Sequence, residues 1–253
     1  MSERERPSPF GPLGRPVALA HRGGAGEAVE NSPTAFQHAL DLGYRWIETD
    51  VRASRDAVAF VFHDERLDRT TDATGPIAAT TAADLASSRL ADGTAPLTLA
   101  EALSTWPELA FNVDVKSPDG IGPFLRAVAE ADAWHRVCAA SFSTRRLREL
   151  RVLAGAQLAT SMGGTEAAAL VGGRVPRSSA CAAQLPRAVA GRHLVTRRLV
   201  DRAHAAGIAV QVWVVDDPAE MHRLLDLGAD GIITDRPTLL RSVLRERGDW
   251  PAS

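Results

Sequence analysis

Short apolar runs alternate with stretches whose apolar positions recur every three or four residues, from residue 17 to the end of the chain. The first run, Val17 to Ala20, breaks at Gly23 and Gly24, as a buried strand does when it empties into a loop. Asn31-Ser32-Pro33 then puts capping candidates and a proline ahead of Ala35, Phe36, Ala39, Leu40 and Leu42, a helical spacing closed by Gly43. Along Tyr44 to Val51 successive side chains face opposite ways, so Trp46, Glu48 and Asp50 share one face while Ile47 and Val51 share the other.

Between Asp50 and Val58 there is too little chain for a parallel crossover. Val58 to Phe62 is therefore expected to return antiparallel and to bring His63 beside Asp50. Residues 64–97 are rich in Thr, Ala and Asp, with turns at Gly75-Pro76 and Gly93, and read as a polar insertion over one end of the domain. Thr98, with Glu101 at the capping-box position, predicts a helix to Trp106.

Candidate strands follow at Ala110 to Val115, Arg136 to Ala140, Gln157 to Thr160, Ala180 to Leu185, Ile208 to Val215 and Gly231 to Thr234. Helical spacing fills Gly122 to Ala131, Thr144 to Leu153, Arg197 to Ala206 and Pro218 to Leu227, with Gly155, Gly207 and Gly228 where C-terminal caps belong. Residues 161–192, rich in Gly, Ala and Arg, give the weakest pattern. Leaving out the hairpin return, the strands number eight. The predicted fold class is α/β, a closed (β/α)8 barrel forming a single domain over residues 17–253, with a small polar insertion after the second strand and its hairpin.

The length of 253 residues suits one such barrel, which typically takes about 250. A content of 45% hydrophobic and 24% charged residues is that of a globular protein, and a net charge of -2 without a basic run argues against wholesale nucleic-acid binding. The charged, proline-rich stretch over residues 1–16 lacks the apolar core of a secretory signal and reads as a flexible N-terminal arm. No apolar run approaches the roughly 18 residues of a spanning helix, so the expected location is cytoplasmic and no transmembrane segment is expected. Cys138 and Cys181 lie in apolar runs and read as buried thiols. The oligomeric state is left open.

Barrel chemistry is built at the carboxyl ends of the strands. His21 and Arg22 end the first strand, Glu48 and Asp50 the second, Asp114 and Lys116 the third, Ser141 the fourth, Trp213 the seventh and Asp235 the last. Glu48, Asp50 and Asp114 make an all-oxygen site for a hard divalent cation, Mg2+ or Ca2+. The plain alternative is a rim salt-bridge network in which Glu48 and Asp50 pair with Arg22, Arg45 or Lys116. His21 and His63 are the natural acid and base, since imidazole titrates near neutral pH, and together they offer the two proton services that a phosphodiester needs. Arg22 and Lys116 would offset charge on the phosphoryl oxygens. Taken singly, each histidine is more often structural, and Trp213 is more often packing than a platform for the alcohol group. His38, His204 and His222 fall in helical stretches, His135 and His193 in polar loops. Asp216-Asp217 most simply caps the helix that opens at Pro218.

His21-Arg22-Gly23, Glu30-Asn31-Ser32, Glu48-Thr49-Asp50, His63-Asp64, Asn112-Val113-Asp114-Val115-Lys116, Trp213 and Gly231-Ile232-Ile233-Thr234-Asp235-Arg236-Pro237 occur in the order of a known family. From about Val17 to its end the chain resembles the glycerophosphodiester phosphodiesterases. The resemblance implies a metal-dependent TIM barrel that cleaves small-molecule glycerophosphodiesters to glycerol 3-phosphate and an alcohol. It also implies His21 and His63 as acid and base, Glu48, Asp50 and Asp114 as metal ligands, Arg22 and Lys116 facing the phosphate, and Glu30 and Asn31 lining the site. In the family's usual scheme a neighbouring glycerol hydroxyl attacks first and water opens the resulting cyclic phosphate. The chain departs from the pattern with Asp114 where a glutamate is common, Val29 before Glu30-Asn31, and Val214-Val215-Asp216 after the tryptophan. The competing readings are a lysophospholipase D acting on lipid-like substrates and, in another class, a non-catalytic barrel that binds phosphorylated ligands.

Overall fold

In the computed structural model, which describes residues 9–250, the first apolar run forms β1 (Val17–His21). Helix α1 (Pro33–Asp41) follows, with proline in its first turn and the Ser32 hydroxyl accepting the Ala35 amide. Strand β2 (Trp46–Ala53) then pairs parallel to β1. The short β3 (Ala59–Val61) returns antiparallel, Val51 opposite Val61 and Ala53 opposite Ala59, as the short connection requires. Within the insertion lies α2 (Ala82–Ser87), and α3 (Leu99–Thr105) opens on the expected capping box of Thr98 and Glu101. Thereafter strand and helix alternate as β4 (Ala110–Val115), α4 (Ile121–Glu130), β5 (Val137–Ala140), α5 (Thr144–Ala154), β6 (Ala159–Thr160), α6 (Gly164–Val171) and β7 (Ala182–Pro186). A small hairpin, β8 (Ala188–Val189) with β9 (Arg192–His193), precedes α7 (Arg197–His204), β10 (Ala209–Trp213), α8 (Pro218–Asp226), β11 (Gly231–Thr234) and α9 (Pro237–Arg247).

Eight strands run parallel in the order β6-β5-β4-β2-β1-β11-β10-β7, and a parallel bridge between Ser161 and Ala182 joins the two ends. The sheet is thus a nearly closed barrel with helices around it, the architecture read from the sequence. Besides α2 inside the insertion, three elements were not expected. Helix α6 carries little amphipathic signal, since it opens on glycine and buries only Glu166 and Leu170. The β8–β9 hairpin is only two residues a side. Helix α9 buries Leu240, Val243 and Leu244, a spacing that the sequence does carry behind Pro237.

Strand alternation sorts the core into two shells. Ile47, Val51, Phe111 and Val113 face outward against Phe36, Leu103 and Phe124 of the helices. Leu19, Trp46, Cys138, Cys181, Ala209 and Ile233 meet inside the barrel, and both cysteines are free, buried thiols. Of the expected arm, the first eight residues lie outside those described; Phe10 is buried with its ring 4.4 Å from Trp46, and the Gly14 amide donates to Asp230 at 2.7 Å. The insertion has its own small core of Phe60, Phe62, Leu67, Ile77 and Leu85.

The same alternation positions the site. His21 stands opposite Glu48, Glu48 opposite Asn112, and Asp50 opposite Asp114. Because the neighbours Ile47, Val51, Phe111 and Val113 point outward to the helices, this polar set points into the barrel mouth.

Candidate active site

A cavity of about 690 Å3 opens at the carboxyl ends of the strands. His21 and Arg22, Glu48 and Asp50, Asp114 and Lys116 line it from three adjacent strand ends, and His63 joins them from the hairpin. Trp213, from β10, lines it too. Eight of the ten residues predicted for the site are therefore brought together at one mouth. The other two, Glu30 and Asn31, stand behind that lining and hold it in place.

Both imidazoles are gripped at the same nitrogen. His21 Nδ1 meets Asp235 Oδ1 at 2.6 Å, leaving Nε2 toward the cavity with Glu48 Oε2 at 3.7 Å. His63 Nδ1 meets Asp64 Oδ1 at 2.7 Å, and the His63 carbonyl accepts from Arg52 Nε at 2.7 Å, which fixes its backbone. A carboxylate on Nδ1 selects the tautomer whose Nε2 accepts a proton when neutral and donates one when charged. Burial works to lower the His21 pKa, but the Asp235 hydrogen bond and the Glu48 charge together raise it above its ordinary value. Asp235 is itself placed by Asp216, whose Oδ1 accepts both the Asp235 amide at 2.8 Å and the Thr234 hydroxyl at 2.7 Å. Asp217, by contrast, is the N-cap of α8, as expected.

The three acids differ in their surroundings. Asp50 is held below its ordinary pKa: burial pushes it up, but the Lys116 ammonium at 2.7 Å and the Arg22 guanidinium at 3.3 Å outweigh that. Asp114, equally close to Lys116 at 2.7 Å but without Arg22, is raised by burial. Glu48 is raised to about 7, first by burial and then by the Asp50 charge. Its Oε2 is buried without a hydrogen-bond partner. The expected salt-bridge alternative is thus present for Asp50 through Arg22 and Lys116, and Lys116 also takes in Asp114, whereas Glu48 pairs only with His21 among the described residues and retains an oxygen that a cation would satisfy. Among the described residues no three His, Cys, Asp or Glu side chains are drawn into a metal-ligand cluster, and Lys116 stands between two of the acids proposed to form one.

Holding this arrangement strains the loop after β1. Arg22 and Asn31 have φ of 51° and 55°, unusual for residues with side chains, and each such residue costs roughly 1–3 kcal/mol. The Arg22 amide donates to the Glu48 carbonyl at 2.7 Å and the Asn31 amide to the Arg22 carbonyl at 2.8 Å, pinning both. At Gly23, φ is +84° and a Cβ would sit 2.7 Å from that of Ala35. Asn31 Nδ2 donates to Asp50 Oδ2 at 3.2 Å, and Glu30 accepts from Arg22 at 2.9 Å and from Arg69 at 2.7 Å.

Arg69 also binds Asp64, and that hydrogen bond is the main reason why the Asp64 pKa lies at about 2 rather than 3.8. A depressed carboxyl contributes stability above its unfolded pKa, and the contribution is lost as pH falls through the folded value. Arg69→Leu is therefore expected to reduce stability at neutral pH by at most about 2 kcal/mol. The deficit shrinks between pH 3.8 and about 2, so that acid unfolding curves of variant and wild type converge there.

Several contributors escaped the sequence reading. Asp64 adjoins His63, and its sign and proximity could have suggested the imidazole grip. Arg69, Asp216 and a buried amide chain could not have been found that way: Gln184 Nε2 donates at 2.8 Å to both Asn112 Oδ1 and Gln211 Oε1, beneath the charged groups. The opposite side of the cavity is apolar. There Phe142 meets Trp213 edge to face at 5.6 Å, and Met162, Leu185 and one face of α6 complete the wall.

Residues 21–239 match the sequence model of the Glycerophosphoryl diester phosphodiesterase family. A Mycobacterium tuberculosis protein, "Probable glycerophosphodiester phosphodiesterase 2", is 39% identical over 244 residues, covering 92% of this chain and 92% of its own. The crystal structure of a glycerophosphodiester phosphodiesterase from Agrobacterium tumefaciens superposes with a TM-score of 0.77 at 25% identity, covering 90% of this chain and 99% of that one. An Oleispira antarctica phosphodiesterase, solved in complex with its product sn-glycerol-3-phosphate, shares the fold with a TM-score of 0.76 at 22% identity, covering 91% and 97%. No helix among the described residues is long and apolar enough to cross a membrane.

Proposed function

The chain belongs to the glycerophosphoryl diester phosphodiesterase family, and on that premise we propose that it hydrolyses glycerophosphodiesters to glycerol 3-phosphate and an alcohol, with His21 and His63 moving the protons. The observation that carries this reading is the pair of imidazoles, each bonded through Nδ1 to an aspartate and each presenting Nε2 to a mouth lined with buried carboxylates.

In the proposed reaction one Nε2 takes the proton of the attacking hydroxyl as the new phosphorus–oxygen bond forms. The other protonates the alkoxide as its bond to phosphorus breaks. When water opens a cyclic phosphate the two exchange roles, which returns each to its starting state. Asp235 and Asp64 stabilise whichever imidazole is charged, and Arg22 and Lys116 meet the phosphoryl oxygens. A divalent cation, Mg2+ or Ca2+, held by Glu48, Asp50 and Asp114, would offset phosphoryl charge and make the attacking hydroxyl more acidic. The orphaned Glu48 oxygen and the all-oxygen donor set support that ligand assignment.

The test is phosphorus resonance of glycerophosphocholine incubated with the purified chain and Mg2+ or Ca2+. Glycerol 3-phosphate is expected to appear, to stop forming when the cation is chelated, and to resume when it is returned. Stabilisation by phosphate ligands with no turnover under any of these conditions would leave a binding protein instead.

A further inference from the structure

Arg69 does not line the cavity, yet its guanidinium connects two side chains that do. Its Nε and Nη2 donate to Asp64 at 2.5 and 3.1 Å, while Nη1 and the same Nη2 donate to Glu30 at 2.8 and 2.7 Å. Beyond Asp64 stands His63, held at Nδ1, and beyond Glu30 stands Arg22, whose Nη1 donates to that carboxylate at 2.9 Å. Among the described residues no other side chain bonds both Asp64 and Glu30. The fork is itself seated. Leu67 is buried in the small core of the insertion, and its carbonyl accepts from the Thr70 and Thr71 amides at 3.3 and 3.1 Å, closing the turn that carries Arg69.

We propose that Arg69 is a positioning residue, which sets the spacing between His63 Nε2 and the Arg22 guanidinium across the bound phosphodiester. The proposal rests on the hydrolytic reading above and gives the polar insertion a part in it. A planar guanidinium whose N–H groups are divided between two carboxylates fixes direction as well as distance, which a lysine ammonium cannot do. Direction is what matters here, because the ion pairs of a half-exposed arginine add only modestly to stability. Without Arg69, Asp64 and Glu30 are like charges that had met on one Nη2, and they separate. His63 then loses the acceptor that selects its Nδ1–H tautomer, and Arg22 keeps only Asp50 as an ion-pair partner among the described residues. Misplacing a reacting group by about 1 Å costs on the order of 10²-fold in rate. The two branches divide by kinetic constant. A proton moved only in the transition state registers in kcat, whereas the phosphate charge is present in ground and transition states alike and registers in KM.

The experiment follows glycerophosphocholine hydrolysis with Mg2+ or Ca2+ in wild type, Arg69→Leu, Arg69→Lys, Asp64→Ala and Glu30→Ala, with melting curves as the folding control. Arg69→Leu is expected to lose about 10²-fold in kcat and also to raise KM. Asp64→Ala lowers kcat at steady KM, and Glu30→Ala raises KM with kcat nearly steady. Arg69→Lys, which returns the charge without the fork, recovers the melting temperature but not kcat. Adding Asp64→Ala to Arg69→Leu costs no further kcat, since both cut the same branch. Nitrogen-15 spectra of labelled histidine, taken where the ring is neutral and assigned by the signal lost in His63→Ala, read the device without turnover. His63 is expected as a single Nδ1–H tautomer in wild type and as a mixture in Arg69→Leu, and Arg69→Lys carries both readouts should Arg69→Leu not fold. A folded variant that turns over like wild type and keeps one His63 tautomer overturns the positioning role and leaves the hydrolytic reading intact. If the tautomers mix on substitution but wild type cleaves no diester, the grip on His63 stands and the hydrolytic reading fails. If wild type cleaves no diester and the tautomer never changes, both are overturned.

Discussion

Replacing His63 with alanine is expected to lower kcat/KM by about 10²–10⁴-fold, the range that a positioned acid or base contributes, while the protein remains folded. The side chain is 34% exposed and its one side-chain partner, Asp64, keeps its bond to Arg69, so little packing is lost with the ring. His21→Ala is expected to cost as much activity and also some stability, because that ring is 17% exposed and Asp235 loses its partner. An Asp235→Asn variant should retain the ring but weaken its grip, so its loss is smaller and its pH profile shifts downward, since the Asp235 carboxylate, with Glu48, raises the His21 pKa. Kinetics with melting curves as the folding control check all three. Undiminished turnover by a folded His63→Ala protein would remove that imidazole from the proton path.

Lys116→Met is expected to destabilise the cation-free protein by about 3–5 kcal/mol, the usual penalty for stranding buried charge. Asp50 and Asp114 are 1% and 6% exposed, and the ammonium lies 2.7 Å from an oxygen of each. Removing it leaves two like charges facing across β2 and β4, with Arg22 paired to Asp50 and no ion-pair partner left on Asp114 among the described residues. A divalent cation that these acids hold together with Glu48 relieves the repulsion, and it binds without displacing an ammonium. The stabilisation that added Mg2+ or Ca2+ confers should therefore be larger in Lys116→Met than in wild type, as the ligand-linkage relation requires for tighter binding. Denaturant melts of both proteins with and without cation read this directly, independently of activity. Equal cation-induced shifts in the two proteins would mean that Lys116 does not compete for the position between the acids.

The strands and their inward polar set were legible because both depend on parity along a few consecutive residues. In Trp46-Ile47-Glu48-Thr49-Asp50 the two acids stand two and four residues beyond the tryptophan, so whichever sheet the strand joins, Glu48 and Asp50 must share a face with Trp46. The short link from Asp50 to Val58 likewise left only a hairpin, which returned His63 to the rim. Helix α6 was not legible, since a run of glycine and alanine has no hydrophobic stripe to declare an axis, and its use as a cavity wall depends on the hairpin packed across from it.

What the sequence determined by itself is which side chains face the barrel mouth, because that follows from a local period of two and a count of strands. Which of them touch was decided only when the barrel closed. Asp235 reaches His21 across 214 residues, Gln184 reaches Asn112 across 72, and Lys116 settles between two acids on neighbouring strands. The reason is physical: pairing between strands far apart in the chain is fixed by register and curvature of the whole sheet, and no short stretch of residues carries that information.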